Sequence, residues 1–201
     1  GSAIAVQCDV SNEENVKNAV KTVLDHFGKI DILLNDAGIA VGGSVENLSA
    51  EQRDHVMSIN AKGPYLMSKY VIPGMKERKY GKIVNVASVN AILGDKPAPL
   101  VRHSYNASKG SVMGLTIGMA ASLMQYGITV NAVCPGLFES EMTENTLFKA
   151  EDFMKMYNSL CPASRPGRKG ELSGTILFLS SEASSYVTGQ AIVVDGGFSI
   201  T

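Results

Sequence analysis

The chain has 201 residues, 45% of them apolar and 18% charged, with a net charge of −1. That length suffices for one sizeable core, and the near-neutral balance, without a run of Lys or Arg, argues against nucleic acid and anionic membrane as partners. No apolar run approaches the ~20 residues of a membrane span, no signal pattern opens the chain, and Cys8, Cys134 and Cys161 lack metal-ligand spacing, which reads as reduced thiols in a cytoplasmic protein.

Ala3 to Gln7 reads as a short apolar strand running into Cys8-Asp9-Val10. Ser11 to Glu14 fits a capping box, and Val16, Ala19, Val20, Val23, Leu24 and Phe27 follow at amphipathic helix spacing, with Gly28 as the stop. Ile30 to Leu34 is a buried strand that leaves through the turn Asn35-Asp36-Ala37-Gly38. Ser49 to Gln52 is a second capping box, opening a long helix that Pro73 is expected to kink or end. Lys82 to Ala87 is the next strand, followed by Ser88 and a loop over 89–103 with Gly94, Pro97 and Pro99. A helix is expected from about Ser104 to Tyr126, then Gly127 and a strand from Ile128 to Val133. Pro135-Gly136 breaks the chain. Residues 137–166 read as a helical, mobile excursion, Lys169 to Ser180 as a helix, and Gln190 to Asp195 as the last strand.

Strands alternating with long helices require crossover connections and a parallel sheet. Near-continuous Ile/Val/Leu strands fit a sheet covered on both faces. The fold class is therefore α/β, a doubly wound parallel sheet in a single domain. Ligands of such sheets bind beyond the carboxyl ends of the strands. Asp9, Asn35 to Gly38, Ser88 and Pro135-Gly136 all fall there.

Tyr105-Asn106-Ala107-Ser108-Lys109 carries the chemistry. Residues four apart share a helix face. A phenol ordinarily loses its proton near pH ~10, and a nearby ammonium favours the phenolate, so the pair could work as a general acid or base. His26, His55 and His103 are unclustered, which argues against a metal site; His103 stands near enough to Tyr105 to reach a substrate. Gly110, Gly114 and Gly118 repeat every four residues within a helix, which points to close packing and away from phosphate binding.

In order along the chain, several motifs resemble the short-chain dehydrogenase/reductase family. They are Asp9-Val10, Asn35-Asp36-Ala37-Gly38, Asn60 in a long helix, Ser88 after a strand, Tyr105-x-x-x-Lys109, Pro135-Gly136, Arg165-Pro166-Gly167-Arg168, and Val187 to Gln190 leading to Asp195-Gly196-Gly197. The resemblance implies a Rossmann-like enzyme that interconverts a secondary alcohol and a ketone by hydride transfer with NAD or NADP. Tyr105 would pass the proton, Lys109 would lower its pKa and bind the nicotinamide ribose, Ser88 would hold the reacting oxygen, and Asn60 would hold a water linking Lys109 to solvent. Asp9 and Val10 would contact the adenine. Asn35, Asp36, Ala37 and Gly38 would pass the adenosine ribose. Pro135, Gly136, Phe138 and Ser140 would contact the nicotinamide end. The family resemblance also implies a homotetramer, packed through the helices at 50–72 and at Tyr105.

The chain departs from the family pattern at its start. The family opens with a strand, a glycine-rich phosphate turn, a helix and a second strand, whereas residue 1 here precedes what would be the third strand. Residues 1–201 are thus expected to form one Rossmann-like domain missing roughly two βα units of ~30 residues each. The pyrophosphate cradle and the residue that separates NAD from NADP would lie in those units. A catalytically inactive fragment, or an assembly module unable to bind cofactor, is the competing reading. Asp36 replaces the usual asparagine, and Ser140 the usual threonine. The long loop before Tyr105 carries Asp95, Lys96, Arg102 and His103, polarity that points to a hydroxylated or acidic substrate. A sugar acid or polyol comes first, by similarity of the Arg165–Arg168 region to gluconate 5-dehydrogenases. A 3-oxoacyl reductase or a steroid dehydrogenase would share every catalytic residue.

Overall fold

The computed structural model describes residues 1–95, 100–144 and 147–201. Lys96, Pro97 and Pro99 lie outside the described residues. Among those described, β1 (Ile32–Asn35), β2 (Gly81–Val86), β3 (Ile128–Pro135) and β4 (Ala191–Val194) form one parallel sheet in the order β1-β2-β3-β4. Leu33 lies opposite Ile83, Ile83 opposite Val130, and Val133 opposite Ile192. The crossovers between these parallel neighbours are helical. α2 (Ala50–Met57) and α3 (Gly63–Arg78) link β1 to β2, and α4 (His103–Leu123) links β2 to β3. α5 (Glu141–Glu144), α6 (Glu151–Leu160) and α7 (Ser173–Leu179) lie between β3 and β4. α1 (Glu13–Phe27) precedes β1.

Alternate residues of the strands feed opposite faces. Leu33, Ile83 and Val130 pack with Val16 and Val20 of α1, Leu66, Val71 and Met75 of α3, and Leu123 of α4. Val84 and Val133 point the other way and meet Leu172, Ile176 and Leu179 at α7. Helices thus cover both faces, and the sheet is doubly wound. β2 and β3 are buried almost throughout. β1 instead alternates: Ile32 and Leu34 are 47% and 42% exposed, because among the described residues no strand pairs with its outer edge.

Several sequence expectations are corrected. Residues 3–7 are not a strand, because no neighbouring strand pairs with them. The cap of α1 is Asn12, whose side chain accepts from the Asn15 amide, since Ser11 is drawn back to Asp9. The Ser49–Gln52 capping box is present. Pro73 does not end its helix, which runs on to Arg78. The last helix is shorter than expected because residues before Ser173 are held in a turn by Glu171. Gly28 and Gly127 end their helices with φ of 77° and 68°, a left-handed backbone that suits glycine.

A buried polar chain crosses the sheet beneath the site. Asn35 Nδ2 donates to Asn85 Oδ1 at 2.8 Å, and Asn85 Nδ2 donates to Thr116 Oγ1 of α4 at 2.9 Å. On the other side, Asn131 and Thr188 tie β3 to the segment entering β4: Asn131 Nδ2 donates to Val187 O, and Val130 N to Thr188 Oγ1. The Val187–Gln190 motif therefore fastens the sheet. Asn85→Ala would leave Asn35 without its acceptor and open a cavity, so urea unfolding should show a loss of about 2–4 kcal/mol.

Candidate active site

The turn after β1, the break between α2 and α3, the end of β2 and the start of α4 converge at the carboxyl edge of the sheet. Residues Ser58–Lys62 form a π-helical turn that separates α2 from α3, a geometry that often marks functional positions. It turns Asn60 inward, where its side chain is 1% exposed. Asn60 Oδ1 accepts from Ile39 N at 2.8 Å, and its Nδ2 donates to Ile39 O at 2.8 Å and to Ser108 Oγ at 3.0 Å. Asn60 thus joins the turn after Gly38 to α4.

The start of α4 is fixed by the chain following that turn. Gly43 N donates to Val101 O, His103 N donates to Gly43 O, and Val45 N donates to His103 Nδ1 at 3.1 Å. This places Tyr105 and Lys109 on the buried side of the helix. Lys109 Nζ donates to Val86 O at the end of β2 at 2.8 Å and lies 5.7 Å from the Tyr105 ring centroid. A Cβ at Gly38 would stand 3.4 Å from both Asn60 Oδ1 and Lys109 Nζ, so the turn after β1 runs directly over them. Ser88 Oγ accepts from Asn90 N at 3.1 Å, and its hydroxyl draws the Tyr105 phenol toward a lower pKa.

The structure thus gathers Gly38, Asn60, Ser88, Tyr105 and Lys109 in one place. Asn35, Asp36 and Ala37, with Val10, Gly63 and Pro64, line a neighbouring cavity of about 80 Å³ at the end of β1. Gly136 sits against Asp195: a Cβ there would be 2.7 Å from the Asp195 Cβ, so only glycine fits at the end of β3. Other expected contacts are engaged locally. The Asp9 carboxylate accepts from Ser11. Phe138 packs on Gly167, and Ser140 bonds with Thr143. His103 is bonded to Val45. Arg165 is paired with both oxygens of Glu171 at 2.8 Å, so the Arg165–Arg168 stretch holds a loop together. A Cβ added at Gly114 or Gly118 would meet nothing within 4 Å, so among the described residues neither glycine packs against its own chain.

A family model described as enoyl-(acyl carrier protein) reductase matches residues 1–199. The chain belongs to the short-chain dehydrogenase/reductase family. It is thereby an enzyme of the NAD(P)-dependent oxidoreductase class. It is 38% identical over 198 residues to a 3-oxoacyl-[acyl-carrier-protein] reductase of Synechocystis, covering 98% of this chain and 76% of that one. It is 39% identical over 195 residues to gluconate 5-dehydrogenase of Gluconobacter oxydans, covering 96% and 73%. A solved gluconate 5-dehydrogenase of Burkholderia cenocepacia, in complex with NADP and tartrate, superposes with a TM-score of 0.90 at 35% identity, covering 96% and 74%.

The residues present fit the cofactor of such a dehydrogenase at two places. The Lys109 ammonium makes one hydrogen bond among the described residues, to Val86 O, which leaves two N–H groups free for ribose hydroxyls. The cavity at Val10 and Asn35–Ala37 lies where a ligand of a doubly wound sheet is held.

Sequence reasoning had no view of Ser108, Ile39, Val86 or Asn90. Only Ser108 carried a signal, its place between Tyr105 and Lys109; the others act through the backbone or across the fold. Burial also changes the electrostatics. It pushes the Tyr105 phenol up, while the Ser88 hydroxyl and the Arg102 guanidinium pull it down. Sequence reasoning assigned that pull to Lys109. Lys109 is itself lowered by burial from 10.5 to about 8, against the opposing attraction of Asp36.

A lysine depressed in the folded state binds its proton more weakly than in the unfolded chain, so stability rises with pH between about 8 and 10. Lys109→Met removes that dependence. Its stability gain over the native protein in urea unfolding should shrink by about 2 kcal/mol from pH 8 to pH 10.

Proposed function

We propose that this enzyme interconverts a secondary alcohol and a ketone, with Tyr105 as general acid/base and Asn60, Ser88 and Lys109 as its partners. The observation that carries the reading is that Asn60 and Lys109 meet at Gly38 while Lys109 lies beside the Tyr105 ring and Ser88 acts on its phenol, all four side chains being buried. When bound, the nicotinamide cofactor supplies or accepts the hydride. Ser88 and Tyr105 present two hydroxyl donors to the substrate oxygen, where negative charge builds as a ketone is reduced. Tyr105 gives up its proton to that oxygen in reduction and takes it back in oxidation. Lys109 is anchored on Val86 O and orients the ribose. Asn60, bonded to Ile39 and Ser108, holds the wall through which a water can connect Lys109 to solvent. Asp9, Val10, Asn35–Gly38, Pro135, Gly136, Phe138 and Ser140 form the cofactor's path along the strand ends.

The substrate we favour is a sugar acid or polyol. Similarity to gluconate 5-dehydrogenases supports it, as does the solved relative holding NADP and tartrate, a hydroxylated dicarboxylate. The equal likeness to a 3-oxoacyl-carrier reductase keeps that substrate, and a steroid alcohol, as the comparison set. The protein works in the cytoplasm as a homotetramer. Support for the assembly comes from α4, where Gly114, Gly118 and the exposed Ile117 face away from their own chain.

A second reading is carried by the outer edge of β1, with which no strand pairs among the described residues. An apolar groove of about 290 Å³ runs beside it, lined by Val6, Cys8, Ala19, Val23, Ile30 and Leu33. Two further βα units of the same polypeptide would fill it and supply the phosphate turn. The competing reading is a catalytically inactive fragment, or an assembly module, unable to bind cofactor.

Two measurements test these readings. Tyr105→Phe should keep the fold by circular dichroism and lower kcat for reduction of 5-ketogluconate by about 10²–10⁴-fold; unchanged turnover would remove Tyr105 from the chemistry. Fluorescence titration of NADH and NADPH, on a sample of known intact mass, separates the enzyme from the fragment. Tight binding of one cofactor by a chain about sixty residues longer supports the enzyme, and no binding at 201 residues supports the fragment.

A further inference from the structure

The loop between β2 and α4 holds a set of polar side chains that the proposed chemistry does not use. Arg102 Nε donates to Asp95 Oδ2 at 2.8 Å, and Arg102 Nη2 lies 3.5 Å from Asp95 Oδ1. Asp95 Oδ2 also accepts from Asn90 Nδ2 at 2.9 Å. Asn90 is itself fixed from two sides. Its backbone N–H donates to Ser88 Oγ, and its carbonyl accepts from Asn106 Nδ2, which also reaches Leu93 O. The guanidinium carbon of Arg102 stands 5.6 Å from the centroid of the Tyr105 ring, within cation–π range. The contacts run in series from Ser88 through Asn90, Asp95 and Arg102 to the ring of Tyr105.

We propose that Arg102 is a positioning residue of this active site: Asp95 and Asn90 hold its guanidinium against the ring of Tyr105, so that a permanent positive charge stands beside the phenol. The inference rests on the reading of Tyr105 as the acid–base group. Among the described residues, four groups lie near that ring or its hydroxyl: Ser88 beyond β2, Arg102 at the cap of α4, Lys109 one turn beyond Tyr105, and Asp95 in the loop. His103, next to Arg102, has its ring bonded to Val45. Lys109 is a changeable charge, because burial brings its proton loss down to about pH 8. A guanidinium does not lose its proton in this range. Asp95 opposes Arg102, but the guanidinium has the larger effect on the phenol. The pair is shielded, with side chains 21% and 19% exposed, so water and salt weaken it less than an exposed pair. Asp95 thus sets both the place and the net strength of the charge. Its carboxylate fixes the guanidinium and at the same time offsets part of its field.

The two members therefore act on Tyr105 with opposite sign, which a merely structural ion pair would not. The test is a pH titration of the protein labelled with [13Cζ]-tyrosine, without substrate, with the Tyr105 resonance assigned by its loss in Tyr105→Phe. Arg102→Gln should move the Tyr105 midpoint up by about half to one pH unit. Asp95→Asn keeps an acceptor for Nε but removes the charge, and should move the midpoint down by a smaller amount. Arg102→Lys should fall between the native protein and Arg102→Gln. Shifts of the same direction in both variants, or no shift in either, would overturn the proposal. If Arg102→Gln does not fold, Asp95→Asn and Arg102→Lys still decide it. The titration reads the phenol without turnover, so loss of activity in Tyr105→Phe and the midpoint shifts succeed or fail separately.

Discussion

The side-chain amide of Asn60 is the joint on which the site depends. A buried amide must find partners for its donors and its acceptor or cost free energy. Asn60 finds them in the turn after β1 and in α4 at once. The turn can then lie over Lys109, and α4 can present Tyr105 beside Ser88. The π-helical turn at Ser58–Lys62 is what points Asn60 inward. A regular helix through those residues would carry the side chain around its axis and away from Ile39.

Around that joint, desolvation outweighs the simple pairing of charges. Placing an ammonium near a phenol favours the phenolate, but burying both groups raises the phenol and lowers the ammonium. Burial is the largest influence on each group. The groups that lower the phenol are those that remain polar whatever the pH, the Ser88 hydroxyl and the Arg102 guanidinium. The carboxylate of Asp36, in place of the family's usual asparagine, draws Lys109 back toward its charged form.

The sheet explains why the site lies where it does. β2 and β3 are buried on both faces, and their carboxyl ends deliver Ser88 and Pro135-Gly136 to the same edge. Motifs with a functional air take structural work nearby. Arg165 spends its guanidinium on Glu171. Val187 and Thr188 anchor the last strand to β3. Asp195 accepts from the amides of Gly197 and Ser199 while lying against Gly136. These are local needs of turns and strand ends, and they hold the site's walls.

The sequence by itself determined the α/β class, the parallel sheet and the Tyr105–Lys109 face, because hydrophobic period and helix spacing are local properties of the chain. The capping box at Ser49 and the stops at Gly28 and Gly127 were legible for the same reason. Where a second segment decides, local reading failed. Residues 3–7 have strand-like composition but no strand to pair with. Ser11 has the side chain of a cap, yet Asp9 competes for it. Pro73 sits within a helix that packing carries through to Arg78. Only the tertiary structure decided that Asn60 meets Ile39 and Ser108, that Lys109 is anchored on Val86 O, and that Arg102 leans on Tyr105 with Asp95 behind it. Those contacts join residues far apart in the chain. Their effect on proton affinity depends on how much water the fold removes, and no spacing in a sequence encodes that.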